Sequence, residues 1–183
     1  MIVGRHIPLD ENQNIMRLNI VLLLLAAIIS TPTLGQKISK QLEYEDIKLI
    51  DGSTITSEEL HNKVIVVNLW GTWCKPCIEE IPDLNELYSR YKNKVLFLAI
   101  ADPAMDSQEK IKEFLEKRSF DFDHLVPTSK SIFFNLIGTV SFPTTVIYNS
   151  KGELEKKLVD TLTEKEINKV IALLDRLIEE SRI

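Results

Sequence analysis

Cysteine, histidine and long apolar runs are all scarce in this chain. Among its 183 residues there are two Cys and three His. Two cysteines are too few for a disulfide scaffold. His6, His61 and His124 stand isolated rather than at ligand spacing, so a zinc site has no partners to complete it. No basic run occurs and the formal net charge is -5, which removes the electrostatic basis for nucleic-acid binding. No stretch reaches the about 20 apolar residues that cross a bilayer. The longest, Ile20 to Ile29, is half that. No internal repeat or low-complexity tract is present. What remains is an ordinary globular composition, 44% hydrophobic and 27% charged.

The N-terminus has the pattern of a targeting segment. Met16-Arg17 precedes the apolar stretch, and Ser30-Thr31-Pro32, Thr33 and Gly35 follow it. A positive start, a short apolar centre and small residues before Gln36 match an export signal. Residues 1–35 are therefore expected to be a leader, with Met16 as an alternative start. Residues 36–43 are expected to be a flexible lead-in, and 44–183 one folded domain. An uncleaved membrane anchor is the open alternative. No cysteine lies near the cleavage site, so a lipid-modified anchor is excluded. Export would put the protein in the periplasm or cell envelope.

Within the domain, Tyr44 to Thr56 suggests a small hairpin turning at Asp51-Gly52. Ser57 to Leu60 is one capped helical turn. Val64 to Leu69 and Val95 to Ile100 are branched apolar runs of the kind covered on both faces. Lys75 to Tyr91 carries Ile81, Leu84, Leu87, Tyr88 and Tyr91 at helical spacing, with Pro82 inside it. Ser107 to Arg118 and Ser129 to Ile137 are further helices, and Asp123 to Val126 a short strand. Thr144 to Tyr148 and Glu153 to Val159 form a hairpin around Asn149-Ser150-Lys151-Gly152. Thr163 and Glu166 form a capping box for a last helix, whose stripe is Ile167, Val170, Ile171, Leu174 and Ile178. Strands alternating with helices, closed by a hairpin and a helix, imply an α/β domain with a central mixed sheet flanked by helices.

The two cysteines are three apart, in Trp73-Cys74-Lys75-Pro76-Cys77, an arrangement that chance gives roughly once in 90. The pair sits between an expected strand and an expected helix. Cys74 falls at the helix start, where unpaired backbone donors and the positive dipole end favour a thiolate. Lys75 adds a screened charge, and Pro76 suits a position whose donor is not needed. Cys77 is one turn deeper, where apolar surroundings keep a thiol protonated. This divides the labour: Cys74 attacks a disulfide and Cys77 resolves the mixed disulfide. Glu80 lies three residues beyond Cys77 on an apolar line with Leu84, Leu87 and Tyr91, where a carboxylate is unexpected. It is either a partly buried proton acceptor for Cys77 or a stem-packed residue whose head reaches water. An inert structural disulfide is weakened by the shortness of the loop. A peroxidase site has no support from the spacing.

The run Val66-Val67-Asn68-Leu69-Trp70-Gly71-Thr72-Trp73-Cys74-Lys75-Pro76-Cys77-Ile78-Glu79-Glu80-Ile81-Pro82, with Phe142-Pro143-Thr144-Thr145 downstream, resembles the thioredoxin superfamily. Within it the chain resembles the exported TlpA/ResA-like thiol–disulfide oxidoreductases. The resemblance covers about Tyr44 to the C-terminus. It implies a thioredoxin fold with an N-terminal hairpin and a central helical insertion at about Ala101 to Val140. It implies that Pro143 is cis and lies beside the cysteines. Phe142, with Trp73 and Thr144, would then receive an extended partner segment by strand addition. It implies a functional Glu80, since Asn68 stands where cytosolic thioredoxins carry a titratable aspartate. Lys75-Pro76, the dipeptide between the cysteines, would tune the potential.

The implied activity is reduction of disulfides in exported, cysteine-containing proteins, apocytochrome c among them, by a monomer. An upstream membrane dithiol donor would recharge the pair, and no cofactor or metal is needed beyond it. A disulfide-forming oxidase and a membrane-tethered, non-enzymatic binding module around Phe142-Pro143 are the alternatives.

Overall fold

A computed structural model of the chain describes residues 42, 44–128 and 141–182. The expected leader and the helix expected over 129–137 lie outside the described residues. The elements, in chain order, are β1 (Ile47–Lys48), β2 (Thr54–Ile55), α1 (Ser57–Leu60), β3 (Val64–Trp70), α2 (Lys75–Tyr91), β4 (Val95–Ala101), α3 (Gln108–Leu115), β5 (Asp123–His124), β6 (Thr144–Tyr148), β7 (Leu154–Val159) and α4 (Glu164–Glu180).

The helices begin where their side chains can satisfy the free backbone donors of a first turn. Thr56 with Glu59 and Thr163 with Glu166 form reciprocal capping boxes on α1 and α4, and the Ser107 hydroxyl accepts from Lys110 N on α3. The expected helix ending at Arg118 stops at Leu115, and Lys117 and Arg118 close a turn by donating to the Phe114 carbonyl. Pro82 lies inside α2, which runs through it to Tyr91.

The main sheet has the order β5-β4-β3-β6-β7. β3 pairs parallel with β4 and antiparallel with β6; β4 pairs parallel with β5, and β6 antiparallel with β7. All seven residues of β3 are buried, as a central strand covered on both faces should be. Alternation along the strands divides the core into two layers. Val66, Trp70, Phe97, Ala99 and Ile147 pack with Cys74, Cys77, Ile81 and Leu84 of α2 and with Val170 and Leu174 of α4. On the opposite face Ile65, Val67, Leu69, Leu98, Ile100, Val146 and Tyr148 pack with Ile47, Leu49 and Leu60. β1 and β2 form a separate two-stranded hairpin, and its turn places Gly52 at φ +94, a left-handed conformation natural to glycine. Hydrogen bonds from Ile50 N to His124 O and from Val126 N to Lys48 O tie this hairpin to the β5 edge.

Three further local expectations differ. Leu42, expected in a flexible lead-in, is 3% exposed and donates its N–H to the Gly152 carbonyl at 2.8 Å, so packing begins before Tyr44. On α4 the buried stripe is Val170, Leu174, Leu177 and Ile178, because α4 is rotated so that Ile167 and Ile171 lie at its edge. The strand expected from Asp123 to Val126 ends at His124, with Leu125 making a lone bridge to Leu49. Among the described residues no helix is long and apolar enough to cross a membrane.

Candidate active site

β3 delivers the chain to the edge of the sheet at Trp70, and a short turn leads from there into α2. Cys74 N donates to the Gly71 carbonyl at 3.1 Å, and Cys74 is the N-cap of α2 in an extended conformation, with Pro76 in the first turn. Cys77 N donates to Cys74 Sγ at 3.3 Å, so a first-turn N–H is already directed at that sulfur. The two cysteines form a disulfide with Cα atoms 5.3 Å apart. The expected contrast between an outer and a deeper cysteine is small here: Cys74 is 3% exposed and Cys77 1%. Lys75 points to solvent and lies 3.6 Å from Glu79, an exposed pair of the kind that contributes little.

Trp73 leaves this turn half-exposed. Its indole lies across Gly71, where a Cβ would come within 2.7 Å of Nε1, and its ring meets Phe142 edge-on at 5.7 Å. The Phe142–Pro143 peptide bond is cis, as the resemblance implies. The sheet explains why these residues meet. β6 runs antiparallel to β3, so the start of β6 and the end of β3 share one edge. Thr144 does not present its side chain at that edge. It is fully buried, and its hydroxyl donates to the Ser141 carbonyl at 2.7 Å, closing the bend rather than facing a partner.

Glu80 is 1% exposed, on the same buried face of α2 as Cys77. Asn68 Nδ2 donates to its Oε1 at 3.0 Å, and Leu162 N donates to its Oε2 at 3.2 Å. The reading in which its head reaches water is thereby removed. Burial pushes the Glu80 carboxyl up to about 7; the two hydrogen bonds oppose this, and the charge of Asp83 adds to it. Asn68 Nδ2 also donates to Thr145 Oγ1 at 3.0 Å, which joins β3, β6 and α2 around the carboxylate.

Asp106 is a site residue that sequence reasoning missed. It is buried, and it accepts from Thr72 N at 3.0 Å and from the Thr72 hydroxyl at 2.6 Å. The turn ahead of Cys74 is thus fastened to the segment between β4 and α3. Thirty-four residues separate the two partners, so no local pattern could have joined them. Among the described residues no group of three or more His, Cys, Asp or Glu could hold a metal ion.

A disulfide at the first turn of the first long helix, on a five-stranded mixed sheet, defines a thiol–disulfide oxidoreductase of the thioredoxin fold. The sequence pattern of the AhpC/TSA family matches residues 38–157, and the chain belongs to that family. It is similar to the thiol–disulfide oxidoreductase ResA of Bacillus cereus, 28% identical over 169 residues that cover 87% of this chain and 95% of that protein. The fold is shared with DsbF of MTB, at TM-score 0.62 and 23% identity over 74% of this chain and 97% of that one. It is shared also with a secreted Mycobacterium tuberculosis disulfide oxidoreductase homologous to E. coli DsbE, at TM-score 0.60 and 19% identity over 75% and 98%.

Proposed function

We propose that this protein works outside the cytosol as a reductant of partner-protein disulfides, with Glu80 as the proton acceptor for Cys77. The resemblance of residues 16–35 to an export signal and the name of the secreted solved neighbour support the location. In the reduced protein the Cys74 thiolate attacks one sulfur of the partner disulfide. A bond forms from Cys74 to that sulfur, and the other partner sulfur leaves as a thiolate and takes a proton from water. Cys77 then gives its proton to the Glu80 carboxylate and attacks Cys74 Sγ. The second partner sulfur leaves and is protonated. The partner has gained two electrons and two protons, and the enzyme ends as the Cys74–Cys77 disulfide. A membrane dithiol donor would return it to the dithiol. Trp73 and Phe142 would receive the partner segment, and Lys75-Pro76 would tune the potential.

The observation that carries this reading is Glu80, a buried carboxylate one helical turn from Cys77 and poised at about 7. A group ionising there can take a proton from a thiol and return it to water without a large cost either way. Exported proteins with paired cysteines, apocytochrome c included, are the proposed partners. The test is a Cys77→Ser variant expressed in its native compartment. It should accumulate partners bound through Cys74, and failure to trap any with Cys74 intact would overturn the reading. Direction is tested by the reduction potential: a value near about -270 mV fits a reductant, and one near about -120 mV an oxidant.

A further inference from the structure

Thr72 and Ile78 bracket Cys74 along the chain. Both also form one side of a cleft of about 350 Å3, whose other side is α3 and the turn after it: Lys110, Glu113, Phe114, Lys117 and Arg118. Three cations and one carboxylate give this lining a net charge of +2, on a chain whose net charge is -5. The floor is fixed, because Phe114 packs on Trp70 with ring centroids 5.1 Å apart and the Arg118 guanidinium lies over the Phe114 ring at 5.4 Å. Lys110 Nζ donates to the carbonyl of exposed Met105. Among the described residues neither Lys117 nor Arg118 is in an ion pair. Asp106, the buried acid beside this cleft, has both oxygens engaged by Thr72.

The sheet fixes how a partner would lie here. β4 and β6 flank β3 on opposite sides. Cys74 follows β3, α3 follows β4, and Phe142–Pro143 leads into β6. The sulfur therefore stands between the Phe142 edge and the α3 cleft. A chain lying along Phe142 on one side of its own cysteine would run toward the α3 cleft on the other side.

We propose that the α3 cleft is a substrate-selecting subsite for an acidic segment, Asp or Glu residues a few positions from the partner's cysteine. The proposal rests on the disulfide-exchange reading above and names the class of substrate it prefers. An anionic membrane surface is the rival ligand. It is disfavoured because the cations face Thr72 and Ile78, the residues that bracket the disulfide along the chain, where a segment joined to the partner's own cysteine is held during exchange.

The test uses the reduced full chain and disulfide-linked peptides with acidic, neutral or lysine flanks. Oxidation is followed by tryptophan fluorescence at about 20 mM and about 500 mM salt. The acidic peptide should react roughly tenfold faster than the neutral one at low salt, a gap that closes at high salt. In Lys117→Glu/Arg118→Glu the order should invert, while the rate with hydroxyethyl disulfide, too small to reach the cleft, stays unchanged. Equal rates for all three peptides, or an acidic preference that survives in the double variant, would overturn the proposal. So would a variant that loses only binding to phosphatidylglycerol vesicles. A wild-type protein inert toward every disulfide would strike the oxidoreductase reading itself, and this proposal with it.

Discussion

Replacing Glu80 by Gln should change how stability depends on pH, and the structure says by how much. Burial holds the folded carboxyl at about 7, against an ordinary value of 4.5. A carboxyl raised on folding stabilises the folded state below its unfolded value, where it is protonated in both states. That contribution is lost as pH rises through the folded value. Each pH unit between the two is worth about 1.4 kcal/mol, so the loss from pH 4 to pH 8 totals about 3 kcal/mol. His124 works in the opposite sense. Burial pushes it down to about 4 from 6.5, with the hydrogen bond to the Phe120 carbonyl opposing, so its stability is present above 6.5 and lost as pH falls toward 4. The two windows overlap and the two magnitudes match, so between pH 4.5 and 6.5 these groups cancel in the wild-type protein. Glu80→Gln removes one side of the balance. Urea unfolding of the oxidised protein at each pH from 4 to 8 measures the difference, variant minus wild type, in which all other groups drop out. That difference should rise by about 3 kcal/mol across the range, in favour of the variant at high pH. A hydrogen bond lost to the amide would displace the whole curve without changing its slope. A flat difference would mean that the folded carboxyl ionises like an exposed one, and the case for Glu80 as proton acceptor would fail.

Three further outcomes follow from the geometry. Gly71→Ala places a Cβ against the Trp73 indole and should lift that ring from Phe142; KM for a protein disulfide should rise while the rate with a small disulfide holds, and an unchanged KM would remove Trp73 from the binding surface. Asp106→Ala strips both acceptors from Thr72 and should cost about 1–3 kcal/mol in denaturant unfolding, with faster alkylation of Cys74 in the reduced protein as the loosened turn exposes it. Leu84→Ala empties a fully buried position on α2 beneath the sheet and should cost about 2–5 kcal/mol by thermal or urea unfolding without altering the reduction potential.

The sequence was most readable where one local rule decides. α2 was placed from Lys75 to Tyr91 because a proline at its start and apolar residues at helical spacing agree, and the capping box at Thr163 marks the start of α4 as plainly. Glu80 stood out as the one carboxylate on an apolar line, an inconsistency that pointed to the site. Edge strands were overestimated, because apolar pattern alone cannot say where a neighbour stops accepting hydrogen bonds, as at His124. Contacts far apart in the chain were illegible for a different reason. Thr72 meets Asp106 only because β3 and β4 end at the same edge, and Leu162 reaches Glu80 through a backbone N–H, a group every residue but proline carries. The α3 cations were equally hidden: spacing identifies a solvent-facing side of a helix, but only docking decides that this side shares a cleft with Thr72 and Ile78.

Asn68 shows how the two kinds of information combine. From sequence it is a residue that cannot titrate at a position where a relative would carry an acid. In the fold it is the donor that moderates the acid one layer away. Burial raises Glu80, and the Asn68 and Leu162 donors oppose it, leaving the carboxyl at about 7, where it can both accept and release a proton. Asn68→Leu should therefore raise the Glu80 ionisation further and move the pH profile of disulfide exchange to higher pH with it. A profile that stays in place would show that the amide holds the strands together at Thr145 and leaves the acid untouched.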